Sequence, residues 1–189
     1  MLSGGILLAG VVMVVRVVGI ALALAPSLVG ELLLPAAAGA LVLLSGSAFL
    51  ILRYKKEAEG EAAPLHLKNP FDVATALKLT ALIAVIMLLA KMLSAVSSTG
   101  GLYLLAAISG IADVDALTLS MARLSASQIA LAEAASAIII AVCINTASKA
   151  AMAATIAGRT IGATVGTFSA LAIAAMGLAH LLAKAHVLS

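Results

Sequence analysis

The chain has 189 residues, of which 64% are hydrophobic and only 10% charged, and its mean hydropathy is +1.25. A soluble domain of this length cannot cover its surface with so few charges, so these values exclude a soluble globular protein and indicate an integral membrane protein. The net charge of +3 predicts no nucleic-acid partner, because the basic residues lie at the ends of apolar runs and form no aromatic-rich basic stripe.

Six apolar segments are long enough to cross a bilayer, which takes about 20 helical residues each. The sequence has no alternating ten-residue pattern of a barrel, so backbone groups in lipid must be satisfied within helices. We therefore predict an all-α, polytopic membrane protein with about six transmembrane helices in one bundle. The predicted spans are residues 2–25, 28–53, 72–95, 101–124, 128–157 and 161–184.

The segment 54–71 mixes charges with Gly60, Pro64 and Pro70, and we predict a cytoplasmic loop there. Lys and Arg are more frequent at the span ends on this side, so the positive-inside rule predicts that both termini are cytoplasmic. The residues assigned to this side are Arg53, Lys55, Lys56, Lys68, Arg123 and Lys184, against Lys91 and Arg159 on the other.

Two segments of the chain resemble each other weakly. ILLAGVVMVVR (6–16) and IIAVCINTASK (139–149) each place a basic residue, Arg16 or Lys149, ten positions after an isoleucine. Spans one and two are therefore predicted to correspond to spans five and six, as in transporters built from repeats. Four crossings between the copies predict that they run parallel.

Glycines mark the start of the sixth span. Gly158, Gly162 and Gly166 form two consecutive GxxxG steps, a spacing that lets helices approach closely. We predict a helix-packing face here, with dimerisation as the alternative.

Four ionisable residues lie deep in the predicted spans: Arg16, Asp113, Asp115 and Lys149. A charge at the bilayer centre costs about 2.5 to 3.5 kcal/mol on insertion scales, so each needs a partner, a water-filled cavity or a bound ion. Other titratable residues are predicted to be less informative: Glu133 near the interface, and His66, His180 and His186 in solvent.

The two aspartates belong to the stretch SGIADVDALTLS, residues 109–120. Residues two apart on a helix point about 200° from each other, so the two carboxylates cannot share a face. If the helix opens within 110–118, both aspartates with Thr118 and Ser120 supply the oxygen ligands that Mg²⁺ or Ca²⁺ prefers. If it stays closed, the aspartates serve separate partners.

Asn145 and Lys149 lie four residues apart on one face of span five, which antiparallel packing would bring toward the aspartates. An ion or proton site is favoured over a structural Asp–Lys pair, because a fixed pair needs only one acid. Arg16 has two readings that remain open: it pairs with the second carboxylate, or it lines an anion path.

No constellation for covalent chemistry emerges. The sequence contains no phosphate-binding loop and no GxSxG or HExxH signature, and its lone cysteine, Cys143, lies in an apolar run. We predict no enzymatic activity and no cofactor, apart from a bound Mg²⁺ or other cation as cargo.

Three motifs carry a family resemblance: LKNPFDVATALK (67–78), GLYLLAAISGIADVDALTLSMARL (101–124) and INTASKA (144–150). In this order and spacing they resemble the uncharacterised membrane domain found C-terminal to MgtC/SapB-type segments of prokaryotic proteins. The resemblance implies magnesium transport. It places the intramembrane motif residues at Asp113, Asp115, Thr118, Asn145 and Lys149.

We therefore expect a prokaryotic inner-membrane transporter for a cation, Mg²⁺ first, with Asp113 and Asp115 as metal ligands. Asn145, Thr118 and Ser120 would be neutral oxygen donors and Lys149 an internal countercharge. One alternative is a regulatory or scaffolding subunit that transports nothing. Another is a proton-coupled transporter of an organic anion that meets Arg16 and Lys149. Expected partners are the lipid bilayer, a second copy in a homodimer, or another membrane subunit.

Overall fold

The computed structural model describes residues 2–57, 99–126 and 128–187. Within these ranges it contains helices and no strand, which confirms the all-α prediction. The helices are α1 (Leu2–Leu24), α2 (Pro26–Glu57), α3 (Thr99–Ala112), α4 (Val114–Leu124), α5 (Leu131–Ile156) and α6 (Arg159–Val187). The third predicted span (72–95) and His66 of the predicted loop lie outside the described residues.

Among the described residues, α1, α2, α5 and α6 are each long and apolar enough to cross a membrane. The shortest, α1, has 23 residues, a length of about 35 Å at 1.5 Å per residue. The predicted fourth span is instead divided between α3 and α4. The prediction of a helical membrane protein is thus confirmed, and the division of the fourth span locates the candidate site.

The long helices form two tightly connected hairpins. Ala25 alone separates α1 from α2, and Pro26 takes the first position of α2, where its missing N–H leaves no hydrogen bond unmade. Gly158 joins α5 to α6 with φ of +89°, the left-handed conformation that glycine adopts without strain. Gly158 therefore makes a turn, and the prediction that it belongs to a packing face is wrong: a Cβ there would meet no atom within 4 Å.

The four long helices surround two small gaps at different depths, and the lining residues give the helix directions. One gap is lined by Leu7, Leu43, Thr146 and Val165, among others. The other is lined by Val17, Leu32, Ile139 and Met176, among others. From the first gap to the second, residue numbers rise along α1 and α6 and fall along α2 and α5. Thus α1 runs parallel to α6 and antiparallel to α5.

This arrangement relates the two hairpins by inversion. The two hairpins contain the segments predicted to form a weak internal repeat, and α1 runs opposite to α5. The expectation of parallel copies is therefore wrong for this packing. Inverted repeats of this kind recur in secondary transporters, where they form the substrate site between them.

The same directions place the start of α1 and the end of α6 at opposite ends of the bundle, which disagrees with the prediction that both termini share one side. The charge count assigned Lys184 to the end that carries Arg53. In the structure Lys184 instead lies near His180 and Glu31, at the end where α1 turns into α2. Many large apolar side chains of the described helices are exposed, as lipid contact requires, among them Leu8, Val12, Leu178 and Leu181.

Cysteine labelling tests this topology. In a Cys143→Ala background, we expect Ser27→Cys and Ala185→Cys to react with an impermeant maleimide from one side of the membrane, and Thr160→Cys from the other. All three positions are exposed and close to helix ends. Labelling of Ser27→Cys from the same side as Thr160→Cys would contradict the arrangement.

Candidate functional site

The predicted fourth span is interrupted at Asp113, between α3 and α4. Its backbone is extended, with φ of −155° and ψ of 107°, while its N–H still donates to the Ser109 carbonyl at 2.7 Å. The predicted opening within 110–118 is confirmed, and it is confined to one residue. Because α3 and α4 have only 14 and 11 residues, the break lies well inside the span.

Asp113 caps the second half of the interrupted helix. Its Oδ1 accepts hydrogen bonds from the backbone N–H of Asp115 at 2.9 Å and of Ala116 at 3.3 Å. These are two of the N–H groups that the start of any α-helix leaves without an intrahelical partner. The carboxylate of Asp113 therefore stabilises the break itself.

Asn145 satisfies the other side of the break. In a continuous helix the Gly110 carbonyl would accept from the N–H of Val114. Here it accepts from the Asn145 Nδ2 of α5 at 2.9 Å. The close approach depends on glycine: a Cβ at position 110 would lie 2.6 Å from the Ala141 carbonyl oxygen and 2.8 Å from the Ala141 Cα.

Asp115 serves a different partner from Asp113. Its Oδ2 lies 2.5 Å from Nη2 of Arg16 on α1, with 26% of the Asp115 side chain and 62% of the Arg16 side chain exposed. Of the two readings of Arg16, the structure thus gives the pair with the second carboxylate. The other oxygen, Asp115 Oδ1, is buried and accepts no hydrogen bond from any residue within 2–57, 99–126 and 128–187, and the same holds for Asn145 Oδ1.

Lys149 does not form an ion pair with Asp113 or Asp115. Among the described residues, no carboxylate oxygen lies within 4 Å of its ammonium, although Arg16 and Asp115 are close enough to interact with it electrostatically. Its side chain borders the gap that Thr146 also lines, which leaves about 10 Å³ for the centre of a water molecule. That volume holds about one water.

The predicted hydroxyl ligands bond to their own helix. Thr118 is fully buried and donates to the Val114 carbonyl at 2.8 Å, and Ser120 is exposed and donates to the Ala116 carbonyl at 2.8 Å. In the part of the chain that the structure describes, no group of three or more His, Cys, Asp or Glu residues could hold a metal ion. Asp113 and Asp115 thus have separate partners in this structure, the start of α4 and Arg16, and the shared metal site stays a prediction.

The other two predicted packing glycines differ from each other. A Cβ at Gly162 would collide with Ala154 of α5, so this glycine lets α5 and α6 approach closely beside their turn. A Cβ at Gly166 would meet nothing within 4 Å. The expected continuous GxxxG face is thus reduced, within the described residues, to Gly162.

One polar contact was missed by sequence reasoning. His180 Nε2 on α6 lies 3.0 Å from Ser136 Oγ on α5, and the ring is partly buried, whereas a solvated histidine was predicted. The sequence signal for this contact was that His180 lies within an apolar helix and not beyond its end. It did not indicate the partner, because Ser136 is 44 residues away.

Gly110→Ala is expected to destabilise the protein, because the added methyl meets backbone atoms of Ala141 that cannot rotate away. Overpacking of this kind costs about 1 to 3 kcal/mol. Gly166→Ala is the matched control, since a helical glycine with open space gains about 0.5 to 1 kcal/mol on replacement by alanine. Thermal unfolding in detergent measures both. Equal effects of the two substitutions would contradict the close contact of α3 with α5.

Substitutions at Asp113 test its role as a cap. We expect Asp113→Ala to destabilise by about 1 kcal/mol, while Asp113→Ser, which keeps a capping oxygen but no charge, loses only a fraction of that. The same unfolding assay compares them. Equal losses in both variants would show that the charge of Asp113, and not its capping oxygen, is what the fold requires.

Comparison with known proteins gives a family. Over residues 1–157 the chain matches the family described as Domain of unknown function (DUF4010). An uncharacterized protein of Aquifex aeolicus (strain VF5) is 35% identical over 109 residues, which are 57% of this chain and 47% of that protein. The chain thus spans about half the length of this relative. No solved structure matches.

The predicted resemblance is supported as far as an uncharacterised membrane domain, and neither match refers to an MgtC/SapB segment. The family match includes α1 to α5 and therefore the whole interrupted-helix site. Because it covers most of the sequence, the chain belongs to the family of the domain of unknown function DUF4010.

Proposed function

We propose that the protein is a membrane transport protein for a small cation and that Asp115 is the carboxylate that binds it. The observation that carries the proposal is the helix interruption inside the predicted fourth span, beside an ion pair and two buried oxygens that have no hydrogen-bond donor in the described part of the chain. Discontinuous helices and intramembrane carboxylates are the usual elements of ion sites in secondary transporters.

The chemistry of the unpartnered atoms favours a cation. Asn145 donates through Nδ2 to the Gly110 carbonyl, which leaves its Oδ1 as an acceptor. Asp115 likewise uses Oδ2 on Arg16 and leaves Oδ1. A buried acceptor without a donor costs about 1 to 3 kcal/mol, and a bound cation or proton would remove that cost.

The donor set suits a singly charged cation, H⁺ or Na⁺, better than the Mg²⁺ expected from the sequence. Mg²⁺ requires near-ideal octahedral oxygen geometry and commonly one or two carboxylates with several waters. Here Asp113 is engaged as a cap, so one carboxylate remains, and an arginine already neutralises it. Once Asp115 is released from Arg16, its one negative charge can balance one positive charge.

Arg16 supplies the exchange partner in this scheme. With no cation bound, the guanidinium holds Asp115, as the structure has it. A cation at Asp115 would release Arg16, whose side chain is largely exposed in this chain. The countercharge role expected of Lys149 thus passes to Arg16, while Lys149 stays near enough to disfavour a second positive charge.

We also propose a location, an orientation and an oligomeric state for the protein. We place the protein in the inner membrane of a prokaryotic cell, with the end that carries Arg53 and Arg159 in the cytoplasm by the positive-inside rule. We further propose a homodimer, because the Arg16–Asp115 pair is partly exposed at a depth where lipid would otherwise contact it.

A scaffolding or regulatory subunit is the second candidate. It is favoured by the fact that both aspartates already have structural partners, Asp113 the start of α4 and Asp115 Arg16. The organic-anion alternative is weaker, because the gap beside Lys149 has room for about one water and not for a carboxylate substrate.

A flux assay in proteoliposomes tests the proposal, with H⁺, Na⁺ and Mg²⁺ gradients applied in turn. We expect H⁺ or Na⁺ flux in the wild type, and a loss of about tenfold or more in Asp115→Asn, as for removal of groups that hold a bound ion. Asp113→Ser, which keeps the cap, and Ser120→Ala, an exposed hydroxyl on the same helix, should stay close to the wild type.

Two outcomes would overturn the proposal. Equal flux in Asp115→Asn and wild type would remove Asp115 from the path. No flux of any of the three ions, together with a stoichiometric membrane partner on purification, would establish the scaffolding subunit instead.

A further inference from the structure

His180 lies at the end of the bundle opposite the start of α1, far along the chain from the interrupted helix. Its Nε2 is 3.0 Å from Ser136 Oγ, so the contact joins α6 to α5. Its other ring nitrogen, Nδ1, is buried and has no hydrogen-bond partner among the residues that the structure describes. Nothing in the proposed cation path uses this histidine.

The hydrogen bonds of Ser136 fix the tautomer of the neutral ring. The Ser136 hydroxyl has one proton, which it donates to the Ala132 carbonyl at 2.6 Å. Toward His180 the hydroxyl oxygen can therefore only accept, and the proton of that bond belongs to Nε2. The neutral ring then carries its lone pair on Nδ1, the atom without a partner.

Charged groups lie near the ring of His180. Glu31 on α2 is close enough to attract positive charge on the ring, and Lys184, one turn further along α6, opposes it. On α5, Glu133 lies one turn before Ser136. The only titratable residue of α1, Arg16, is held by Asp115 elsewhere.

We propose that His180 Nδ1 is a proton-binding site, with Ser136 holding the opposite ring nitrogen, Nε2, and Glu31 as a nearby negative charge. A proton taken from the adjoining solution would convert the ring to imidazolium, keep the Nε2–H bond to Ser136, and give Nδ1 a hydrogen to offer Glu31. Acidification on this side of the membrane would thus add one positive charge where α2, α5 and α6 meet. This site is independent of the cation path at Asp115.

Histidine ¹⁵N NMR of the full-length protein tests the site. The double variant His66→Gln/His186→Gln leaves His180 as the only histidine. We expect the Nε2–H tautomer at alkaline pH, and protonation of Nδ1 when the pH is lowered across the range in which the protein stays folded. The Nδ1–H tautomer at alkaline pH, or no protonation at any pH at which the protein is folded, would overturn the proposal.

Two further variants in the same background separate the partners. Ser136→Ala removes the acceptor of Nε2–H, and we expect a mixture of both neutral tautomers. Glu31→Gln removes the nearby negative charge, and we expect the titration midpoint to move to lower pH. Glu57→Gln, at the other end of α2, is the control and should not move the midpoint. A midpoint that is the same in Glu31→Gln and Glu57→Gln would exclude Glu31 as a partner.

Discussion

A helix that stops inside a bilayer leaves backbone groups that no water can satisfy, and the structure around Asp113 depends on meeting that requirement. Each unsatisfied group costs several kcal/mol in hydrocarbon. The carboxylate of Asp113 accepts from the first N–H groups of α4, and the Asn145 amide donates to the Gly110 carbonyl of α3. The break is therefore a stable feature, held by one side chain from within the span and one from α5.

The remaining features of the site follow from the way in which Asp113 and Asn145 stabilise the break. Asn145 can reach Gly110 only because α3 and α5 approach at backbone distance, which glycine at position 110 permits. Once Asp113 is used as a cap, Asp115 starts the next helix facing another neighbour, and the Arg16 guanidinium of α1 meets it. The broken span thus contacts α5 through Asn145 and α1 through Arg16, on either side of the extended residue Asp113.

Much of this could be predicted from the sequence, because the cost of charge in lipid singles out Arg16, Asp113, Asp115 and Lys149. Gly110 and the two aspartates also predicted where the helix opens. The role of each carboxylate could not be predicted in the same way, since an aspartate ahead of an apolar helical run serves equally well as a helix cap or as an ion ligand. The contact of His180 with Ser136 depends on the relative rotation of α5 and α6, which neither helix determines alone.

The inverted hairpins give the weak sequence echo a physical meaning. In two inverted copies, residues at equivalent positions approach the membrane midplane from opposite sides. Arg16 and Lys149 are the equivalent basic residues of the two segments, and in the folded chain they are close enough to repel each other, with Asp115 near both. Two like charges near one carboxylate cannot both be neutralised by it. The pairing of Asp115 with Arg16 leaves Lys149 beside its small gap, and an exchange of partners between the two halves would require Asp115, and with it the start of α4, to move.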